Sequence, residues 1–218
     1  MGWNPPAASG AGETLRLSPM SYFEWHGQPG YFRDITRHFR TDARLLDVGC
    51  GTGWIADHFP NYTGVDGAAE AVALATEKGR NVHLANLSEP LPFENEVFDG
   101  AVMKDILEHV PDPVATVREV HRVLKPGGRV FASSPDAQRW VWDDYTHRRP
   151  FSRKSFRLLF ADQGFTIEKL GYESVVPGTG HISARTRRKR RPRILQAAAW
   201  LPFVRRNVWI LARRKELD

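Results

Sequence analysis

With 218 residues, 41% of them hydrophobic and 26% charged, the chain has ordinary globular composition and length for one domain with a sizeable core. Its single cysteine, Cys50, excludes an internal disulfide framework and points to a reducing, cytoplasmic setting. The net charge of +6 comes from one run, since seven basic residues and no acid fall between Arg185 and Arg193; the remainder is nearly balanced, unlike a core that spreads positive charge over a nucleic-acid-binding face.

Taken in chain order, Met1 to Pro6 has neither a basic n-region nor an apolar h-region, so no signal peptide is expected. Residues 1–18, rich in Gly, Pro and Ala, read as a frayed tail. Tyr22, Trp25, Tyr31, Phe32 and Phe39 recur at helical spacing, and the break at Gly27-Gln28-Pro29-Gly30 predicts two short helices. Tyr22, Trp25 and His26 are placed as a lid over a pocket. Residues 1–40 thus form a tail and helical lid, ahead of one domain over 41–218.

That domain alternates strands and helices. Strands are predicted at 44–48, 62–65, 81–84, 98–103, 129–133, 165–172 and 207–213. Helices are predicted from Gly53 to Phe59, from Ala68 to Lys78, from Pro113 to Leu124 and from Ser152 to Gln163, with Pro126-Gly127-Gly128 ending the third. Repeated β-α-β order at this spacing predicts an α/β, Rossmann-like, doubly wound and mostly parallel seven-stranded sheet with helices on both faces. The apolar stretch Ala197 to Val204, broken by Pro202, is too short to span a bilayer, so a soluble protein without a transmembrane segment is expected.

In such a sheet, ligands bind beyond the carboxyl ends of the strands where strand order reverses. The first strand runs into Asp47-Val48-Gly49-Cys50-Gly51-Thr52-Gly53, whose alternating glycines permit a sharp turn and a close backbone approach to a ligand. Asp66, at the end of the second strand, can accept hydrogen bonds from both hydroxyls of a ribose. A dinucleotide fingerprint needs a further small residue where this chain has Trp54, which argues against that cofactor.

These residues resemble the class I S-adenosylmethionine-dependent methyltransferases, in the branch with ubiquinone-pathway, glycan and natural-product enzymes. Leu45 to Gly53 looks like the first motif of that family, and Gly64-Val65-Asp66 like the second. Ala85-Asn86-Leu87 resembles the adenine loop, with Asn86 where the family usually has Asp. Phe98 to Val110 and Leu124 to Gly128 resemble the next two motifs. The resemblance implies S-adenosyl-L-methionine as cofactor. Its methionine end would lie near Asp47, Gly49, Cys50, Gly51, Gly53 and the backbone of Lys104, its ribose on Asp66, and its adenine between Gly67 and Asn86-Leu87.

Methyl transfer is an in-line displacement in which alignment supplies much of the catalysis, and a base is needed only for a protonated acceptor. His109 and His147, after the fourth and fifth strands, are the candidate catalytic bases. Asp105, Glu108 and His109 would share one face if helical, and with His147 they offer oxygen and imidazole ligands. Related clusters in small-RNA and ubiquinone-pathway methyltransferases use magnesium. Histidine is a poor ligand for that hard cation, so the expectation is a metal-free cluster in which Glu108 and His109 tie down a helix. Trp140 and Trp142 are candidates to line an acceptor pocket.

The expected reaction is methylation of a hydroxyl or amine on a small metabolite or glycan-type acceptor. An RNA methyltransferase and a non-catalytic S-adenosylmethionine-binding protein are the alternatives. Arg185 to Arg193, within a basic amphipathic insertion at about 182–206, could make peripheral contact with an anionic membrane or RNA.

Overall fold

The computed structural model describes residues 33–175 and 205–216. The proposed lid residues Tyr22, Trp25 and His26 and the basic run Arg185 to Arg193 lie outside them.

A short helix α1 (Arg33–Thr36) precedes strand β1 (Leu45–Val48), then a 3-10 helix (Trp54–His58), β2 (Tyr62–Asp66), α2 (Ala69–Glu77) and β3 (Val82–Leu84). The chain then returns through β4 (Phe98–Lys104), α3 (Pro113–Val123), β5 (Leu124–Pro135), a second 3-10 helix (Arg139–Asp143), α4 (Arg153–Asp162), β6 (Phe165–Val175) and β7 (Arg205–Arg214). The seven strands form one sheet in the order β3-β2-β1-β4-β5-β7-β6. The first five are parallel, and β7 runs antiparallel to both β5 and β6. The seven-stranded, mostly parallel reading therefore holds.

Alternation along the strands divides the core in two. Leu46, Val48 and Met103 join Val117, Val120 and Val123 of α3 and Phe156 and Phe160 of α4 on one face. Leu45, Val102, Phe131 and Leu211 join Ile35 of α1, Ile55 of the 3-10 helix and Ala75 of α2 on the other. Both faces are thus covered by helices, as expected for strands that read as near-continuous apolar runs. Each fully buried valine of α3 contributes about 1.5–3 kcal/mol of apolar burial.

Helix α3 starts where Asp112 accepts hydrogen bonds from the Val114 and Ala115 amides (2.9 and 3.0 Å) and Pro113 occupies the first turn. Ser152 and Ser155 form the reciprocal cap of α4. Phe151, Phe156, Phe160 and Phe165 pack edge to face in a chain, with ring centroids 5.4 to 5.7 Å apart. They anchor the loop after β5 to α4 and β6.

Three expectations need correction. The segment after Gly53 is a five-residue 3-10 helix, because Gly53 is left-handed and Pro60 stops the chain from continuing. Strand β5 begins at Leu124, paired with Phe98, and a register shift absorbs residues 125–128 before Arg129 pairs with Gly100. Thus α3 ends at Val123 and the proline and glycines lie within the next strand. The segment from Asp105 to His109 is a turn rather than a helix: Asp105 has φ 51°, outside helical space.

Candidate active site

Strand order reverses between β1 and β4: the chain moves outward from β1 to β3, then returns to β4 on the other side of β1. The carboxyl ends of β1, β2, β3, β4 and β5 all open at this edge, which is where the topology places a ligand. Gly49, Gly51 and Gly53 adopt φ of 72°, 54° and 71°. In this left-handed region glycine escapes the Cβ penalty of other residues. At Gly49 the requirement is also steric, since an added Cβ would lie 2.4 Å from Ile106 Cγ1 in the loop after β4. The two loops therefore pack directly on one another.

Asp66 is set by the backbone around it. Its Oδ2 accepts from the Gly51 amide at 2.7 Å and its Oδ1 from the Ala68 amide at 2.8 Å. A carboxylate has about four lone-pair sites, so two remain for a vicinal diol. An added Cβ at Gly67 would meet only Ala85 O, at a van der Waals distance of 3.6 Å. Asn86 closes its own loop, accepting from the Ser88 amide and donating to Glu89 Oε1, while Leu87 packs against the core. Trp54 lies beneath the Arg80 guanidinium and the Lys78 ammonium, 5.0 and 5.2 Å from its ring.

Asp47 is buried and accepts from the Tyr62 hydroxyl at 3.0 Å. Burial raises its carboxyl to about 7, with the Asp66 charge adding to the rise and the Tyr62 hydrogen bond opposing it. Burial also pushes the Tyr62 hydroxyl and the Cys50 thiol well above their ordinary ranges. Cys50 is therefore a packed thiol in the loop, without the thiolate character of a nucleophile. Tyr62 carries no motif that marks it. Gly64, two residues on, leaves room for it, since a Cβ there would lie 2.7 Å from the Tyr62 hydroxyl and from Cys50 Sγ.

At the end of β4, Lys104 Nζ lies 2.9 Å from Asp105 Oδ2. Asp105 Oδ1 accepts from Ser133 Oγ (2.7 Å) and Asn207 Nδ2 (3.0 Å). These bonds tie the ends of β4 and β5 to the start of β7.

Glu108, His109 and His147 do come together, with one ligand atom from each lying within 4.8 Å of the others. Asp105 is not part of that group. The His109 and His147 ring centroids are 4.7 Å apart. The two loops are joined by backbone bonds, Arg148 N donating to Glu108 O at 2.8 Å, and by Arg149 donating to Pro111 O at 2.7 Å. Glu108 is completely buried, with the Ser134 hydroxyl beside its carboxyl. Burial, then the Asp105 charge, raise its carboxyl well above the usual range. Burial, then the neighbouring His147, hold His109 below its ordinary value. The cap of α3 is Asp112 rather than Glu108 or His109.

The loop from Ala137 to Pro150 edges a shallow hollow lined by Gln138, Arg139 and Trp142. Trp142 is 57% exposed, whereas Trp140 is half-buried and its indole donates to Gln138 Oε1.

Comparison with known proteins agrees with this fold. Over 144 residues the chain is 30% identical to an uncharacterized protein of Methanocaldococcus jannaschii, covering 65% of this chain and 69% of that one. It is 35% identical over 104 residues to a ubiquinone biosynthesis O-methyltransferase of Pseudomonas aeruginosa, covering 42% of this chain and 44% of that protein, less than half its length. Among solved structures, an S-adenosylmethionine-dependent methyltransferase of Methanosarcina mazei superposes with a TM-score of 0.62 at 23% identity, over 85% of this chain and 98% of that one, a likeness of fold. A family model for the methyltransferase domain matches residues 24–170, bearing out the resemblance read from the motifs and, with it, S-adenosylmethionine as methyl donor. The chain belongs to that methyltransferase family.

Proposed function

We propose that this methyltransferase moves the methyl group of S-adenosylmethionine onto a hydroxyl or amine of a small metabolite or glycan-type acceptor. The observation that carries the reading is the pairing of two sites at one sheet edge. On one side, Asp66 is fixed by the Gly51 and Ala68 amides beside three left-handed glycines. On the other, His109 and His147 stand on the loops after β4 and β5, one loop further along that edge.

In this reading Asp66 holds the ribose hydroxyls, Gly67 and Asn86-Leu87 flank the adenine, and Asp47, the glycine loop with Cys50 and the Lys104 backbone receive the methionine end. The sulfonium methyl is already activated, so the residues' main task is to hold donor and acceptor in line. His109 and His147 handle the acceptor's proton. The near-neutral charge outside Arg185 to Arg193 favours a small acceptor over an RNA.

Release of S-adenosylhomocysteine, measured across phenols, sugar hydroxyls and amines, tests the acceptor class. With an acceptor that is turned over, His109→Ala or His147→Ala is expected to lower kcat by about 10²–10⁴, the usual contribution of positioned proton transfer, at unchanged cofactor affinity. Full kcat in both variants removes the histidines from the reaction.

A further inference from the structure

We infer that Arg80 is a positioning residue for the cofactor: its guanidinium latches the glycine loop from behind and so sets how tightly S-adenosylmethionine is held. The inference rests on the reading in which that loop receives the methionine end.

The loop has much freedom to lose. Gly49, Gly51 and Gly53 alternate through it, all left-handed, and glycine gives up more conformational entropy on ordering than any other residue. A binding loop already ordered before its ligand arrives spares the complex that cost. On its inner side the loop is held by Asp66, which accepts from the Gly51 amide, and by Ile106 against Gly49. Its other end depends on Arg80.

Arg80 stands between α2 and β3, 28 positions from Thr52, yet all three guanidinium nitrogens are committed to the segment after β1. Nη1 donates to Thr52 O at 2.8 Å. Nε and Nη2 donate to Asp57 at 2.9 to 3.3 Å. The guanidinium carbon lies 5.0 Å from the Trp54 ring centroid. A planar fork is the side chain that can satisfy a carbonyl and a carboxylate while lying over a ring, and the shorter lysine ammonium is not.

Burial shows that this is more than a surface ion pair. The Arg80 side chain is only 9% exposed, whereas Asp57 is 60% exposed. Thr52 is itself buried, so without Arg80 its carbonyl loses its partner away from water. Gly53 makes the approach possible, since an added Cβ would lie 3.4 Å from Arg80 Cδ and 3.1 Å from Val82 Cγ2. The bulky Trp54, which argues against a dinucleotide in the sequence, is here the platform under the latch. Arg80 also leads into β3, whose far end carries the Ala85-Asn86-Leu87 loop. One side chain thus ties the loop proposed for the methionine end to the strand that carries the loop proposed for the adenine.

The test measures S-adenosylhomocysteine affinity by calorimetry and amide hydrogen exchange by NMR on the full-length chain. Arg80→Ala should weaken binding by about tenfold, the scale of a lost hydrogen bond from a charged group, with Arg80→Lys in between. In the free chain, exchange at the Gly53 and Ala56 amides should quicken, while amides of β1 and β4 keep their protection. A purely structural arginine would instead raise exchange throughout and leave the affinity of the folded variant intact. Either of those results overturns the inference. Should Arg80→Ala fail to fold, Asp57→Asn at the exposed end of the latch is judged by the same two readings, with about threefold weaker binding expected. Asp66→Ala separates the two claims. Full affinity there defeats the cofactor reading, whereas full affinity only in the Arg80 and Asp57 variants defeats the latch alone.

Discussion

In the proposed cofactor site, Asp47 is the residue at which fold and cofactor compete. Folding buries its carboxyl and raises it from 3.8 to about 7. The folded chain therefore binds this proton more tightly than the unfolded chain. The stability linked to it is fully present below about pH 4 and is lost as pH rises to about 7, a span of roughly 4 kcal/mol at 1.36 kcal/mol per pH unit. Asp47→Asn keeps an acceptor for Tyr62 but cannot ionise, so chemical denaturation at pH 8 should show a more stable variant whose stability no longer falls between pH 4 and 7. A cationic cofactor beside Asp47 favours the ionised form, so binding below pH 7 should release about one proton, read by calorimetry in buffers of different ionisation enthalpy. Binding without proton release would separate Asp47 from the cofactor's charge. Tyr62 escaped the sequence reading because its role depends on a sheet register, Leu45 opposite Tyr62 and Asp47 opposite Gly64, that no local pattern displays.

At the scale of elements, β1, β2 and β4 were legible because each is a largely buried run ended by turn residues, and all three lie within a residue of expectation. Helix α3 was equally legible, with Asp112-Pro113 before a periodic apolar face. Its cap gives a clean test: Asp112→Ala should destabilise the chain by about 1 kcal/mol, seen as a lower denaturation midpoint with an unchanged slope. No change in midpoint would mean that tertiary packing alone sets the start of the helix. The turn at Asp105 was not legible, because its left-handed backbone is supported by Ser133 and by Asn207, 102 positions away. Spacing suggested that Asp105 and Glu108 shared a face. Long-range bonds instead turn Asp105 toward β5 and β7 and leave Glu108 with the histidines.

For the whole molecule, motif order along one sheet edge is what makes the proposed cofactor site legible in the sequence, since glycine loop, Asp66 and the Ala85-Asn86-Leu87 loop follow successive strands. The acceptor side was less readable, because its groups come from loops joined only in three dimensions. Charge separates the acceptor classes. Replacing the basic residues from Arg185 to Arg193 by glutamine should leave turnover of a small acceptor unchanged at any ionic strength. For an RNA or a membrane-bound acceptor, KM should rise and its salt dependence flatten, because fewer counterions are released.

The central claim is that the glycine loop and Asp66 hold S-adenosylmethionine, and calorimetry on the full chain tests it most directly. S-adenosylmethionine and S-adenosylhomocysteine should bind one to one and NAD should not bind. Asp66→Ala should weaken both by about 1–3 kcal/mol, the scale of hydrogen bonds to a charged group. Binding of NAD without either S-adenosyl compound, or full affinity in folded Asp66→Ala, would contradict the account.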